Sequence, residues 1–350
     1  MAGAPRAHNM RKRKFTARTG AELHFSELGF GAAPLGNMYR PLTEKEARAT
    51  LDAAWNVGSR YYDTAPLYGL GLSETRLNGF LRAKPRDSYL ISTKVGRLLE
   101  LSTPKERTRQ DQFFEAPARI ERFDYSYDGV MRSLDFSLER LGLDYIDVVY
   151  AHDVDVFTHG TKEAADQRIK EFMSGGYKAL TKLREGGAIK AFGAGINEAE
   201  IADRLAREGD FDIFLLAGRY TLLEQEALES FLPYCVDKKI GVVIGGPFNS
   251  GILATGPKPG AHYNYKPAPE AVLARVAKIQ AICATHKVKL AEAAIRFPLS
   301  HPAIVSVIPG GQKPGEVRRN AEMLGAKIPP AMWRELKSQG LMRADAPTPR

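Results

Sequence analysis

Cysteine is nearly absent. Cys235 and Cys283 are the only two among 350 residues, far apart and without C-x-x-C spacing. That excludes a disulfide scaffold and fits two reduced, buried thiols in a cytoplasmic protein. Long apolar runs are missing too; none approaches the ~18–20 residues that span a bilayer, so no membrane association is expected. The seven histidines show neither H-x-H nor H-E-x-x-H spacing, so no metal site is expected. LGFGAAP and AFGAGINE each hold a G-x-G, but neither completes G-x-G-x-x-G with an acid ~20 residues on, which removes a Rossmann reading. Acid is missing from MAGAPRAHNMRKRKFTART at the start, and this stretch has no apolar signal core. Residues 1–14 therefore read as a disordered basic leader. The net charge of +9 gathers largely at the two ends, with no aromatic-interleaved basic stripe, so no nucleic-acid partner is expected.

What is present is a soluble globular composition, 44% hydrophobic and 26% charged. Strand-like and helix-like segments alternate from about residue 26 to 340 with no linker. Eight continuous apolar runs read as strands: 28–33, 59–63, 89–95, 145–152, 189–195, 213–218, 240–246 and 304–310. Continuous runs are expected where both faces of a parallel sheet are covered. Between them, Thr43 and Glu46 form a capping box, Val130, Leu134, Leu138 and Leu141 repeat at helical spacing before Gly142, and Ala271 to His286 and Pro330 to Ser338 are further helices. The pattern predicts an α/β fold, a (β/α)8 TIM barrel forming one domain over residues 15–345. KFTARTGAELHFS ahead of it reads as a β-hairpin capping the barrel's bottom, and two long βα loops, 96–125 and 153–167, lie at the top.

In such a barrel the chemistry gathers at the carboxyl ends of the strands. The stretch GSRYYDTAPLYGLGLSETRLNGFL ends a strand at Asp63, places Tyr68 in a loop and then starts a helix that reads as serine-capped. The third strand carries Lys94 in STK, and the fourth ends at His152 in YAHD. A carboxylate, a phenol, an ammonium and an imidazole thus converge on one face. A cation beside a phenol favours the phenolate, Asp63 supplies the counter-charge for Lys94, and His152 can donate a hydrogen bond to a substrate oxygen. The set suits proton transfer to or from a hydroxyl or carbonyl. GPFNSG (246–251) and IPGGQKPGEVRRN (308–320) add glycine-rich turns, the second placing backbone amides where this fold binds phosphate.

With these residues in view, the chain resembles the aldo-keto reductase family from about residue 24 to 340, through GSRYYDTAPLYGLGLSE, STKVG, SLERLGLDYIDVVYAHD and IPGG…N. The resemblance implies a catalytic tetrad of Asp63, Tyr68, Lys94 and His152 with Tyr68 as general acid/base. It implies a nicotinamide dinucleotide across the barrel mouth, contacted by Gly31, Asp63, Asn197, Gly246, Phe248, Ser250, Gly310, Gly311, Gln312, Glu316, Arg319 and Asn320. Ile196, Ala217 and Gly245 stand where the family usually has a serine, a glutamine and a stacking aromatic. Glu316 stands where NADP-preferring members have an arginine, so NAD is the expected cofactor, with NADP possible. The chain is similar to the branch of D-threo-aldose 1-dehydrogenases, L-fucose dehydrogenases and pyridoxal 4-dehydrogenases. That implies oxidation of an aldose to its lactone, with a sugar, pyridoxal or another carbonyl or alcohol as substrate. Asp153, Asp155 and Asn249 are candidates for sugar hydroxyls, and Phe113, Phe114 and Phe123 for walling an aromatic substrate. A broad carbonyl reductase and a cofactor-sensing subunit resembling potassium-channel β-subunits are the alternatives. A monomer or weak homo-oligomer is expected.

Overall fold

The protein is described by a computed structural model covering residues 10–102 and 113–349. Its centre is a barrel of eight parallel strands: Phe30–Gly31, Tyr61–Asp63, Leu90–Val95, Val148–His152, Ala191–Ile196, Ile213–Ala217, Gly241–Gly245 and Ile304–Ile308. They pair in chain order, and the bridges Leu28–Val307 and Gly31–Gly310 join the eighth strand to the first. All eight apolar runs are strands of this (β/α)8 barrel. The first is the shortest, and Gly29 and Gly31 pack closely against Ile308 of the eighth strand.

Inside the barrel, Tyr61, Leu90, Tyr150, Ile213 and Val243 pack with Phe15, Leu23 and Phe25 from a two-stranded hairpin, Lys12–Thr16 with Glu22–Ser26. Phe15 meets Gly241 and Phe25 stacks edge-on against Tyr61, both first residues of barrel strands, so the hairpin plugs the amino-terminal end. Each such buried aromatic contributes ~1.5–3 kcal/mol relative to exposure. Helices cover the outer face of the sheet. Glu44–Asn56 starts from the capping box at Thr43, and Tyr127–Leu141 ends in left-handed Gly142. Both cysteines are buried and free. Among the described residues no helix is long and apolar enough to cross a membrane.

Four expectations change. The hairpin begins at Lys12, so the last residues assigned to the basic leader are strand, while residues 1–9 lie outside the described residues. The helix after Tyr68, Leu72–Leu81, starts from Gly71 with no side-chain cap; Ser73 sits inside its first turn and donates to the Ala32 carbonyl at 2.8 Å. The connection after the third strand holds a hairpin, Arg97–Leu101 with Arg119–Phe123, with residues 103–112 outside the description. The connection after the fourth strand is helical, Val156–His159 and Lys162–Glu171, capped by Asp155 and Thr161.

Candidate active site

Asp63 and His152 are the last residues of the second and fourth strands, Lys94 lies near the end of the third, and Tyr68 follows in the turn before Leu72–Leu81. That turn is held by a close approach: a Cβ on Gly36 would lie 2.4 Å from the Gly69 nitrogen and 2.5 Å from the Tyr68 carbonyl carbon. Gly69 itself has φ 65°. Only glycine fits both sides of this contact.

Lys94 is buried and its Nζ donates to Asp63 Oδ2 at 2.7 Å, the Thr64 carbonyl at 2.9 Å and the Tyr68 hydroxyl at 3.1 Å. An ammonium has three protons and no lone pair, so all three are used and Tyr68 is the acceptor. The phenol's own O–H is thereby left to face the cavity. Ser92 donates to the other Asp63 oxygen at 2.7 Å, which leaves Ser92 to accept from Tyr61 at 2.9 Å. Tyr61 in turn lies 3.2 Å from the Tyr150 hydroxyl. A buried chain of hydrogen bonds therefore fixes the carboxylate from below.

Burial would lower the pKa of Lys94, but Asp63 and Tyr68 outweigh it, and the ammonium is held above its ordinary value. For Tyr68 the sum differs from the sequence expectation. Burial raises the phenol's pKa, Lys94 pulls it down, and burial prevails, so the resting group is a neutral phenol. His152 goes the other way: burial, then Arg97 and Lys94, push its imidazole well below the usual histidine value. Its Nε2 lies 3.2 Å from Asp153 Oδ2, and its Nδ1 is buried without a partner among the described residues.

The four groups open onto one cavity of about 1540 Å³. Small-molecule pockets usually occupy ~300–1,000 Å³, so there is room for more than one ligand. The same cavity is lined by Gly31, Asn197, Gly246, Phe248, Ser250, Gly310, Gly311, Gln312, Glu316, Arg319 and Asn320, and also by Ile196, Ala217 and Gly245. The loop after the seventh strand is wound left-handed at Gly246, Asn249, Ser250 and Gly251. Asn197 Nδ2 donates to Asp153 at 3.0 Å and to Asp155 at 3.2 Å. Past the eighth strand, Glu316 Oε2 accepts from the amides of Gln312 at 2.8 Å and Lys313 at 3.3 Å. Two amides expected to cradle an anion are therefore already met by a carboxylate of the chain itself.

The model of the Aldo/keto reductase family matches residues 27–340. The chain belongs to the Aldo/keto reductase family. It is an oxidoreductase, of a family that uses nicotinamide cofactors. It is 42% identical over 95% of its length to a D-threo-aldose 1-dehydrogenase from Pseudomonas sp, covering 98% of that protein. It is 41% identical over 95% of its length to a pyridoxal 4-dehydrogenase from Microbacterium luteolum, again covering 98%. Among solved structures, an aldo-keto reductase from Bacillus halodurans in its holo form aligns over 97% of this chain and 98% of its own, with TM-score 0.73 and 25% identity.

This aldo-keto reductase has features that sequence reasoning missed. Arg97 is 2% exposed yet bridges Glu121 at 2.5 Å and Asp153 at 2.6 Å, and it lines the cavity. Arg219 donates to the Asn197 carbonyl at 2.6 Å and to Asn264 at 3.1 Å, tying the turn at Asn264 and Tyr265 to the barrel. Tyr39, Phe157 and Tyr265 rim the cavity. Of the three phenylalanines expected at a substrate wall, Phe113 alone lines it. Phe114 is exposed, and Phe123 stacks on Tyr125 beneath the Arg97 guanidinium. Asp155 and Asn249 do not line the cavity. Asp155 accepts from Thr158 and Asn197, and Asn249 is bonded to Thr221 and Gly218.

Proposed function

We propose that this protein is an NAD-linked dehydrogenase that oxidises an aldose at its anomeric carbon to the lactone, with Tyr68 as general acid/base. The observation that carries the reading is the Lys94 ammonium shared between Asp63 and Tyr68 at the floor of the cavity. The residues present fit a dinucleotide: a cavity too large for one small ligand, with Gly31, Gly245, Gly246, Gly310 and Gly311 bringing backbone to its surface. When bound, the nicotinamide supplies the two-electron acceptor. Tyr68 takes the proton of the anomeric hydroxyl, and Lys94 stabilises the phenolate that does so. His152, neutral, donates from Nε2 to the same oxygen and orients it. Loss of that proton and of the hydride from the anomeric C–H leaves a C=O, the lactone.

Glu316 supports NAD over NADP. It sits at the amino end of helix Pro314–Leu324, with Oε2 committed to two amides and the carboxylate facing the cavity. A 2′-phosphate would meet that charge, whereas a ribose hydroxyl can donate to it. The ratio of kcat/KM for NAD over NADP should fall at least several-fold in Glu316→Gln, which keeps the helix cap but removes the charge. Equal efficiency with both cofactors in the wild type would overturn the preference. The buried free thiols fit a reducing compartment such as the cytoplasm.

Pyridoxal is the second reading, favoured by the aromatic rim of Tyr39, Phe113, Phe157 and Tyr265. Oxidation of L-fucose, D-arabinose, L-galactose and pyridoxal, each with NAD, separates the two. Tyr68→Phe should lower kcat on the best substrate by about 10²–10⁴-fold while NAD still binds. A variant as active as the wild type would remove Tyr68 from the mechanism.

A further inference from the structure

We propose that Asp153 reads the substrate: its carboxylate accepts a hydrogen bond from a second hydroxyl, on the carbon next to the one that reacts. The inference rests on the dehydrogenase reading above and narrows its substrates to compounds with a hydroxyl beside the reacting carbon, the class to which aldoses belong.

Side chains alternate along a strand, so His152 and its successor should face opposite ways. Here both line the same cavity. The chain turns left-handed at Asp153, φ 53°, which breaks the alternation and brings its carboxylate beside the imidazole. Asp153 Oδ2 lies 3.2 Å from His152 Nε2. Hydroxyl oxygens on adjacent carbons are about one hydrogen-bond length apart, roughly 3 Å. A substrate whose reacting oxygen sits at Nε2 therefore brings its neighbouring hydroxyl to this carboxylate.

The carboxylate is also held ready. Arg97 fixes Oδ2 at 2.6 Å and Asn197 fixes Oδ1 at 3.0 Å. A carboxylate offers about four lone-pair sites, and among the described residues Oδ1 takes that single bond. A buried ion pair is seldom the most stable choice for a core, and apolar residues of like volume often serve better. Placing Arg97, Asp153 and Glu121 as a chain of ion pairs at the edge of the cavity makes sense if one of them must meet a polar ligand. Arg97 is then a positioning residue.

The test measures a preference ratio. Glycolaldehyde and acetaldehyde, differing by the neighbouring hydroxyl, are compared in the reductive direction, and an aldose and its 2-deoxy form in the oxidative direction. Each pair is run on wild type and Asp153→Asn with the better nicotinamide cofactor. In the wild type kcat/KM should favour the hydroxylated member by about 10–100-fold, the worth of one hydrogen bond to a charged group. In Asp153→Asn the ratio should shrink several-fold below the wild-type value, since the acceptor has lost its charge but not its oxygen. No preference in the wild type, or an unchanged ratio in the variant, overturns the proposal, and the aldehyde pair decides if the two disagree. If no aldose is oxidised the aldose reading fails, yet the aldehyde pair still settles Asp153. If Asp153→Asn does not fold, as read by circular dichroism, Asp153→Ser takes its place, and a ratio unchanged in it overturns the proposal.

Discussion

A phenol beside an ammonium is pulled two ways, and at Tyr68 the sum decides how pH acts. Burial holds its pKa above the ordinary value against the pull of Lys94. On the proposed mechanism the group near neutral pH is an acid ready for carbonyl reduction, and it becomes a base only as pH rises. Oxidation should therefore accelerate into the alkaline range while reduction slows. Lys94→Met should shift the oxidative limb to higher pH, and an unshifted limb would argue against the ammonium's role. A second limb belongs to Asp153, whose carboxyl is pushed up to about 6 by burial, with Arg97 opposing and Asp155 adding to the rise. Lys94 and, beyond Arg97, Glu121 complete its charged surroundings, and the neutral His152 imidazole faces it. As pH falls through about 6 the carboxyl gains a proton, so kcat/KM on a hydroxylated substrate should drop there. A profile flat from pH 5 to 7 would contradict it.

Among elements, the turn carrying Tyr68 shows what a residue's own chemistry leaves unsaid. Gly36 lies far from the tetrad in sequence, yet its missing side chain makes room for the Tyr68–Gly69 peptide. Gly36→Ala should displace the phenol and cut kcat on the order of 10²-fold, the usual cost of about 1 Å of misplacement. A melting point close to wild type alongside the loss would separate misplacement from unfolding. Elements buried on both faces were legible because continuous apolar runs have few other uses. That is why all eight strands, and the positions of Asp63, Lys94 and His152 at or near their ends, could be read. The hairpin Arg97–Leu101 with Arg119–Phe123 was not legible. Its strands, RLLEL and RIERF, mix charged and apolar residues without regular alternation and are separated by a long, largely polar stretch. Arg97 escaped notice for a related reason: arginine is normally exposed, and only the fold reveals the acids on either side of it. Ser73 misled because a helix-starting serine and a buried one look alike in sequence.

For the whole molecule, stability and chemistry are divided between the two ends of the barrel. The floor is closed by Phe15, Leu23 and Phe25, while the mouth is lined by charges and glycines. Phe15→Ala should cost about 3–5 kcal/mol of stability, typical of emptying a buried aromatic site. Denaturant unfolding would register that loss, while kcat per folded molecule should stay near the wild-type value. A large fall in kcat with unchanged stability would mean that the floor communicates with the mouth.

Because the plug closes the far pole, Lys12 lies at the end opposite the opening through which any reactant must enter. An enzyme tethered to a bead or an electrode by the segment ahead of Lys12 would present its entrance to the bulk liquid. Attachment along the outward rim near Tyr265 would instead face the entrance toward the support and throttle its supply.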